Sequence, residues 1–216
     1  MTYLDMVNNV LKRLREREVS TINESSYSSL IAILVNDAMQ EVEQSWDWSA
    51  LRTTLSASTT SGIFSYELNG SQNNFKVLDV VNDTSNVFMK YADAHWMTQV
   101  FLTSNTPETG SPYYYSFNGV SQDGDTQVDI YPVPDGVYDL RFNVIQRTLE
   151  LTDDADVTLI PNKPIIQLAY AKAVEERGED GGVLSSSAYA AAERVLNDAI
   201  SFDAAKHPEE LIWKAV

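Results

Sequence analysis

The chain contains no cysteine among its 216 residues, and it contains only two histidines. It therefore has no disulfide, no thiolate metal site and no thiol nucleophile. No run of about 18 apolar residues occurs, so the sequence predicts no membrane-spanning helix. The amino-terminal segment also lacks the apolar core expected of a signal peptide.

Basic residues are scarce as well. The chain has 15 Lys and Arg against 31 Asp and Glu, which gives a net charge of −16. A protein that grips nucleic acid through its phosphates needs the opposite balance. A local basic cluster at Lys12, Arg13, Arg15 and Arg17 is compatible either with a solvated helix face or with contact to an acidic partner.

Motifs that carry chemistry are also missing from the sequence. There is no GxSxG, GxxxxGK[ST], HExxH or dinucleotide fingerprint. His95 and His207 lack the clustered carboxylates of a zinc site. The acidic loop 119–126 lacks the glycine and glutamate positions of an EF-hand, so we expect a solvated loop, with no partner assigned to it. We therefore predict no enzyme, no cofactor and no metal, and an acidic hydrolase built on paired carboxylates is a lesser alternative.

Apolar residues spaced three and four apart predict four long helices, two at each end of the chain. The first predicted helix covers 3–17 with Thr2 as N-cap, and the second follows the capping-box pair Thr21 and Glu24 and ends near Trp46-Asp47-Trp48. The third is capped by Asn162 and ended by Gly178, Gly181 and Gly182, and the fourth covers 185–205. In the second helix Trp46 continues the apolar stripe and is predicted to lie in the core, whereas the position of Trp48 stays open.

The middle of the chain changes character, because Thr, Ser, Val, Phe and Tyr replace the helix formers. It contains a β-prone run at 53–60, predicted strands at 63–68, 76–81, 87–91, 113–117, 127–131 and 137–147, and one short helix at 93–102. Tyr113, Tyr114 and Tyr115 follow one another in a strand, so at least one must face the core. They are compatible either with ordinary packing or with a recognition surface.

These patterns predict an α+β fold without the helix–strand alternation of a doubly wound sheet. Residues 1–52 and 160–205 would form a discontinuous bundle of about four helices. Residues 53–159 would form an inserted, antiparallel β-rich unit with one short helix. Residues 206–216 would form a C-terminal tail that follows the last helix.

The segment from Val128 to Leu140 is the most distinctive in the chain. Its sequence, VDIYPVPDGVYDL, predicts a strand, a rigid turn and a return strand. Pro132 and Pro134 lack N–H donors, so the chain must leave the sheet there, and Asp135 with Gly136 supplies a turn. With Tyr131, these residues predict a structural hairpin with a stiff corner.

This segment resembles a recurring element of bacteriophage head-to-tail adaptor (connector) proteins, which are similar to the podovirus tail tubular protein A. Three further phrases resemble the same family, in the order in which they occur along most of the chain. They are Ser45-Trp46-Asp47-Trp48, Gly110-Ser111-Pro112-Tyr113-Tyr114, and Leu159-Ile160-Pro161 followed by an Ala-rich helical end.

The resemblance implies a structural virion protein, assembled in the bacterial host cytoplasm and placed at the head–tail interface. Such adaptors form a homo-oligomeric ring, commonly of about twelve copies, which joins the portal protein to a tail or nozzle protein. Double-stranded DNA passes through the ring during ejection without specific binding, and no membrane takes part. The tail of such proteins docks on the portal, which here implies Lys206, His207, Pro208, Leu211, Ile212 and Trp213.

Two alternatives remain at this stage. A frayed terminus would equally account for Trp213 and its neighbours. A non-enzymatic, tail-associated β module that binds carbohydrate or a receptor would account for the many aromatic residues of the middle segment.

Overall fold

The computed structural model describes residues 1–71, 74–103, 107–178 and 182–206, without the side chains of 102 and 103. In chain order its elements are α1 (Tyr3–Arg13), α2 (Ser26–Ser45), a 3₁₀ turn (Ser49–Leu51), β1 (Arg52–Ser58), β2 (Ser65–Glu67), β3 (Phe75–Asn82), β4 (Val87–Phe88), β5 (Lys90–Tyr91), α3 (Ala94–Thr103), β6 (Tyr114–Val120), β7 (Thr126–Tyr131), β8 (Asp139–Gln146), α4 (Asn162–Arg177) and α5 (Val183–Ala204). The predicted α+β class, with helices at both ends and strands between them, is confirmed.

The chain folds as two compact units. One, the helical unit, combines residues 1–51 with the chain from Thr148 onward, and the other, the β unit, consists of residues 52–147. In the helical unit α4 packs against α1, α2 and α5. The helix stripes meet in a core that includes Met6, Val10, Val35, Ile165 and Ala169, all of which are fully buried.

The first two helices begin and end at residues that their local chemistry explains. Thr2 caps α1 in a capping box, since its hydroxyl accepts from the Asp5 amide at 3.1 Å and the Asp5 carboxylate accepts from the Thr2 amide. The helix ends at Arg13, earlier than predicted, and Arg15 adopts a positive φ of 61°. The capping box of α2 is formed by Ser25 and Ser28, so the prediction of Thr21 and Glu24 was wrong.

Residues 148–159, which the sequence analysis assigned to the inserted unit, belong to the helical unit. The carboxylate of buried Glu43 accepts from the Thr148 amide at 3.3 Å. The Asn36 side chain exchanges two hydrogen bonds with the backbone of Leu151, at 3.0 and 3.1 Å. These bonds tie the irregular segment to α2. The segment ends at Pro161, which takes the N-cap position of α4, so Asn162 is the first helical residue and not the predicted cap.

The β unit is a two-layered sandwich. Its sheets have the strand orders β1-β8-β3-β4 and β2-β7-β6-β5, and all pairs are antiparallel except β5 with β6. Buried side chains of both sheets form one core, which contains Val80 and Phe142 from the first sheet and Tyr115, Val128 and Ile130 from the second. Tyr115 is thus the member of the tyrosine run that faces the core.

The prediction of a hairpin at residues 128–140 was wrong. β7 and β8 lie in different sheets, so the chain crosses from one layer of the sandwich to the other at Pro132 to Gly136. The prolines explain this because they cannot donate to a ladder. The backbone here bonds to other segments instead. The Val133 amide donates to Glu108 O at 3.0 Å, and the Tyr138 amide donates to the Thr59 hydroxyl at 2.8 Å.

Candidate assembly surfaces

The carboxyl end of α5 is fixed by a buried carboxylate, Asp203, whose residue is only 4% exposed. It accepts hydrogen bonds from the Trp46 indole N–H at 3.2 Å, from the Ser49 amide and hydroxyl at 2.9 and 2.6 Å, and from Lys206 Nζ at 2.9 Å. Burial alone would raise the pKa of Asp203. The bonds from Ser49 and the charge of Lys206 outweigh it and lower that pKa to about 2. Asp203 is therefore ionised. Its hydrogen bonds link the end of α5 to Trp46 and Ser49, which follow the end of α2.

This arrangement corrects the sequence-based prediction for Trp46. Trp46 is 37% exposed, whereas Trp48 is 1% exposed and donates its indole N–H to Val42 O at 2.8 Å. The stripe of α2 stops at Ser45, because Trp46 takes an extended backbone with φ −153° and ψ 155°. The chain then turns Trp48 into the core.

Beside Asp203 a groove of about 300 Å³ runs between the start of α4 and the last turns of α5. We call it the α4–α5 groove, and its lining residues are Pro161, Lys163, Pro164, Val195, Asp198, Ala199, Phe202, Asp203 and Lys206. One lining residue, Phe202, is 79% exposed although it lies on the last full turn of α5. A single exposed ring is common on protein surfaces, so it is the ring together with the concave groove that makes this region a candidate interaction surface.

The groove is adjacent to the residues that the sequence analysis assigned to portal docking. Lys206 lines it, and its ammonium group bonds to Asp203 and, at 3.2 Å, to the Ser49 hydroxyl. The other five assigned residues, His207, Pro208, Leu211, Ile212 and Trp213, lie outside the described residues. Lys206 is therefore the one residue of the assigned set whose position the structure describes.

A second surface lies at one end of the sandwich, where four loops meet. Backbone bonds join Gly62 to Pro134 O at 2.8 Å, Gly110 to Val133 O at 2.9 Å, and Lys90 to Tyr113 O at 2.9 Å. The segments that these bonds join carry large exposed apolar side chains, which we call the corner surface: Ile63, Phe64, Phe88, Tyr91, Tyr113 and Val137. Phe88 and Val137 are 70% and 69% exposed.

The crossover residues singled out by the sequence stand at the base of the corner surface. The Tyr131 ring is buried among Trp96 and Phe101 of α3, at centroid distances of 5.8 and 5.7 Å. Asp135 accepts from the Tyr138 hydroxyl at 2.6 Å, and Gly136 O accepts from the Thr59 hydroxyl at 3.0 Å. These contacts hold the loop that presents Val137.

Gly136 does not adopt a left-handed backbone conformation, whereas Gly62 does, with a φ of +82°. A Cβ at either position would meet no atom within 4 Å. We expect Gly136→Ala to leave stability unchanged or to raise it by up to about 1 kcal/mol, because alanine restricts only the unfolded chain. Gly62→Ala, the matched control, should lose about 1 kcal/mol through its positive φ. Thermal denaturation of both variants measures the difference, and equal losses would contradict it.

The basic cluster is partly engaged within the helical unit. Lys12 pairs with Glu18 at 2.8 Å, and Arg13 donates to Gln167 Oε1 at 2.6 Å. Among the described residues, no group of three or more His, Asp or Glu could hold a metal ion. Within the same ranges, no helix is both long and apolar enough to cross a membrane.

The sequence analysis did not single out Asp203 or Phe202 as functional or structural residues. Ala188, Ala192 and Asp203 lie at helical spacing on the buried face of α5, so the pattern itself placed a carboxylate at a core position. Such a group needs partners, and that requirement was the available signal. Phe202 gave none, since a single aromatic beside a buried stripe is compatible with either side of the helix.

The fold combines helices from both chain ends with an inserted β-sandwich, and both units expose large apolar side chains. The comparison with protein families is more specific. The family model of the SU10 adaptor protein matches residues 1–209, which is nearly the entire chain. The chain belongs to this family of phage head-to-tail adaptors, and it is a structural protein of the virion. None of the curated proteins compared with it matches.

Proposed function

We propose that the chain is one subunit of a closed ring, of about twelve copies, that joins the portal to the tail. Family membership over residues 1–209 carries this proposal. A closed ring needs two different patches on each subunit, because each copy meets its neighbours head to tail. The corner surface and the α4–α5 groove are two such patches, and they lie in different units of the fold.

The proposed partners are the portal on one side and a tail or nozzle protein on the other. The C-terminal tail, 206–216, is the segment we assign to the portal. It leaves the helical unit at a fixed point, since Lys206 is bonded to Asp203 and Ser49. Its sequence carries Leu211, Ile212 and Trp213, which supply the apolar contact area that permanent interfaces use.

The charge of the chain supports a passive role toward DNA. Duplex DNA carries about one negative charge per 1.7 Å of its axis, and the chain carries a net charge of −16. A channel lined by acidic residues repels the duplex and keeps it mobile during ejection. A basic lumen in the assembled ring would contradict this part of the proposal.

Deletion of residues 207–216 tests the assignment of the tail. We expect the truncated chain to keep its fold and to lose association with the portal, because the described helical unit ends at Lys206. Light scattering of the adaptor mixed with portal measures the association, and circular dichroism checks the fold. Electron microscopy of the full-length mixture should show a ring on the portal. Unchanged association of the truncated chain would refute the tail assignment.

The corner surface also leaves the alternative of a carbohydrate-binding module, since Phe88, Tyr91 and Tyr113 expose aromatic faces there. The same mixture separates the two functions. A persistent monomer that does not bind the portal but binds glycans would favour the carbohydrate-binding module. A ring on the portal would favour the connector.

A further inference from the structure

A basic concavity of about 380 Å³ lies on the helical unit, where the end of α1 meets the last turns of α4. We call it the arginine pocket, because three of its lining residues are Arg13, Arg15 and Arg177. Its apolar lining consists of Leu14, Tyr170, Val174 and Leu184. The chain as a whole carries a net charge of −16, so three guanidinium groups around one concavity form a local field of opposite sign.

Two of the three arginines keep their charge uncompensated. Arg177 is paired with the carboxylate of Glu16. Arg13, in contrast, donates to the neutral amide oxygen Oε1 of Gln167 at 2.6 Å. Within the described part of the chain, the guanidinium group of Arg15 has neither a hydrogen bond nor an ion pair. The pocket therefore offers positive charge to a ligand from outside the subunit.

The backbone at Arg15 provides a second, independent observation. α1 ends in a Schellman motif, in which the Arg15 amide donates to Lys12 O at 3.1 Å and the Glu16 amide donates to Leu11 O at 2.9 Å. The first residue after the cap of such a motif is left-handed and is usually glycine, whereas here it is Arg15, with a φ of 61°. An L side chain is less favourable than glycine in this conformation. The helix end therefore does not account for the arginine, and we attribute it to what its side chain binds.

The lining of the pocket indicates the chemistry of its ligand. A guanidinium group presents a planar fork of donors that matches a carboxylate. The Arg13 guanidinium also lies over the Tyr170 ring, 6.0 Å from its centroid. Leu14 and Val174 add apolar surface beside the charges. A protein segment that carries a carboxylate next to an exposed apolar side chain would satisfy both parts of the pocket.

The loop between β6 and β7, for which the sequence indicated no partner, carries this combination. The Ser121 amide donates to Asp125 O at 2.8 Å and the Gly124 amide donates to Ser121 O at 3.1 Å, which closes a turn with Asp123 at its tip. Asp123 is exposed, and within the described ranges its carboxylate has no hydrogen bond or ion pair. Val120, at the end of β6, is 47% exposed.

A further exposed carboxylate lies at the same end of this sheet. Glu67 in β2 is paired with Gln127, at the start of β7. Other carboxylates of the β unit are bonded within the chain: Asp79 accepts from Asn143, Asp83 pairs with Arg141, and Asp139 accepts from Ser58. The hairpin end, opposite to the corner surface, is therefore where the β unit can offer carboxylates to an arginine of another subunit.

We propose that the tip of the β6–β7 hairpin of one copy inserts into the arginine pocket of a neighbouring copy, where Arg13 and Arg15 bind the Asp123 carboxylate. The hairpin belongs to the β unit and the pocket to the helical unit, so the contact is heterologous and can be repeated around a ring. The inference rests on the proposed function for the ring itself, and it names one contact that joins neighbouring subunits.

The absence of cysteine permits a direct test on the full-length chain, because introduced thiols have no competitors. Two single variants, Gln122→Cys at the hairpin tip and Leu184→Cys at the pocket, are mixed in a thiol redox buffer, with and without portal. Both positions are exposed. The matched control replaces Leu184→Cys with Asn197→Cys, which is exposed on the same helix about 20 Å further along its axis.

The 122/184 pair is expected to form at least about ten times more mixed disulfide than the 122/197 pair, since the two Cα atoms must come within about 7 Å. Mass spectrometry of the linked peptides identifies the pairing. Equal yields in both mixtures would overturn the proposal. A 184/184 link of equal yield would also overturn it, because it would show a two-fold contact instead.

Charge variants test the ligand. Asp123→Asn in the Gln122→Cys protein should lower the yield of the 122/184 link several-fold, because the arginines lose the carboxylate. Asp198→Asn in the same protein is the matched control, since Asp198 is an exposed carboxylate on α5, and it should leave the yield unchanged. Equal effects of the two substitutions, or the reverse order, would refute the assignment of Asp123.

Arg15→Gly in the Leu184→Cys protein separates binding from folding. Glycine suits the left-handed position, so the melting temperature should stay unchanged or rise while the yield of the 122/184 link falls several-fold. An unchanged yield would overturn the role of Arg15, and a lower melting temperature would contradict the cost assigned to its backbone. A ring on the portal without the selective link would refute this inference alone. The selective link without portal association would refute only the proposed function.

Discussion

Replacing Phe142 with alanine is expected to lower the free energy of unfolding of the β unit by about 3–5 kcal/mol. Phe142 is fully buried at the centre of the sandwich, between Val144 and Leu140 on its own strand and Tyr115 from the opposite sheet. Its ring meets the Tyr115 ring edge-on, with centroids 6.2 Å apart. The alanine variant loses the transfer energy of the ring and leaves a cavity between the two sheets.

The sandwich cannot compensate for this loss by a small rearrangement. β8 is a central strand that pairs with β1 on one side and with β3 on the other, so its backbone is held along its length. Val137→Ala is the control, because Val137 is 69% exposed and should change stability by no more than about 0.5 kcal/mol. Urea denaturation followed by circular dichroism measures both variants. A loss below about 1 kcal/mol for Phe142→Ala would contradict the described core.

The second large effect is expected from Asp203→Ala, with a loss of about 2–4 kcal/mol in the helical unit. The substitution removes the acceptor of the Trp46 indole N–H and of the Ser49 amide and hydroxyl. Lys206 loses its ion pair at the same time. Asp198→Ala is the matched control, since Asp198 is exposed on the same helix and should change stability little.

The same carboxylate gives the helical unit a defined response to acid. The pKa of Asp203 is about 2 in the folded state and 3.8 as the ordinary value. A group with a lowered folded pKa stabilises the fold above its unfolded pKa and loses that contribution as the pH falls toward the folded one. We expect roughly 2 kcal/mol to disappear between about pH 4 and pH 2. Asp203→Asn should lack this component, and an identical acid profile for both proteins would refute the assignment.

Much of the fold was predictable because the helix stripes are long and regular. The stripes of α1, α2, α4 and α5 fixed which segments are helical, and the β-rich middle was evident from composition. The boundaries were less predictable, since they depend on individual bonds. Residues 148–159 carry no periodic pattern. Side chains of α2, such as Asn36 and Glu43, and the backbone amides of Tyr3 and Leu4 in α1 bond to this segment and decide to which unit it belongs.

The two errors of most consequence have a common physical origin. A strand, a tight turn and another strand predict a hairpin when only local sequence is considered. Whether β7 and β8 share a sheet depends on the partners of Pro132 to Gly136, which come from segments far away along the chain. The same holds for Trp46 and Trp48, because the backbone leaves the helix at Trp46 and the helical period no longer applies to either residue.

The helical unit draws its helices from both termini, with the β unit between them. On the ribosome α1 and α2 therefore emerge before the β unit but cannot complete their core, because α4, which packs against both of them, is synthesised only after the β unit. The β unit is continuous along the chain, so it can finish folding on the nascent polypeptide before α1 and α2 have completed their core.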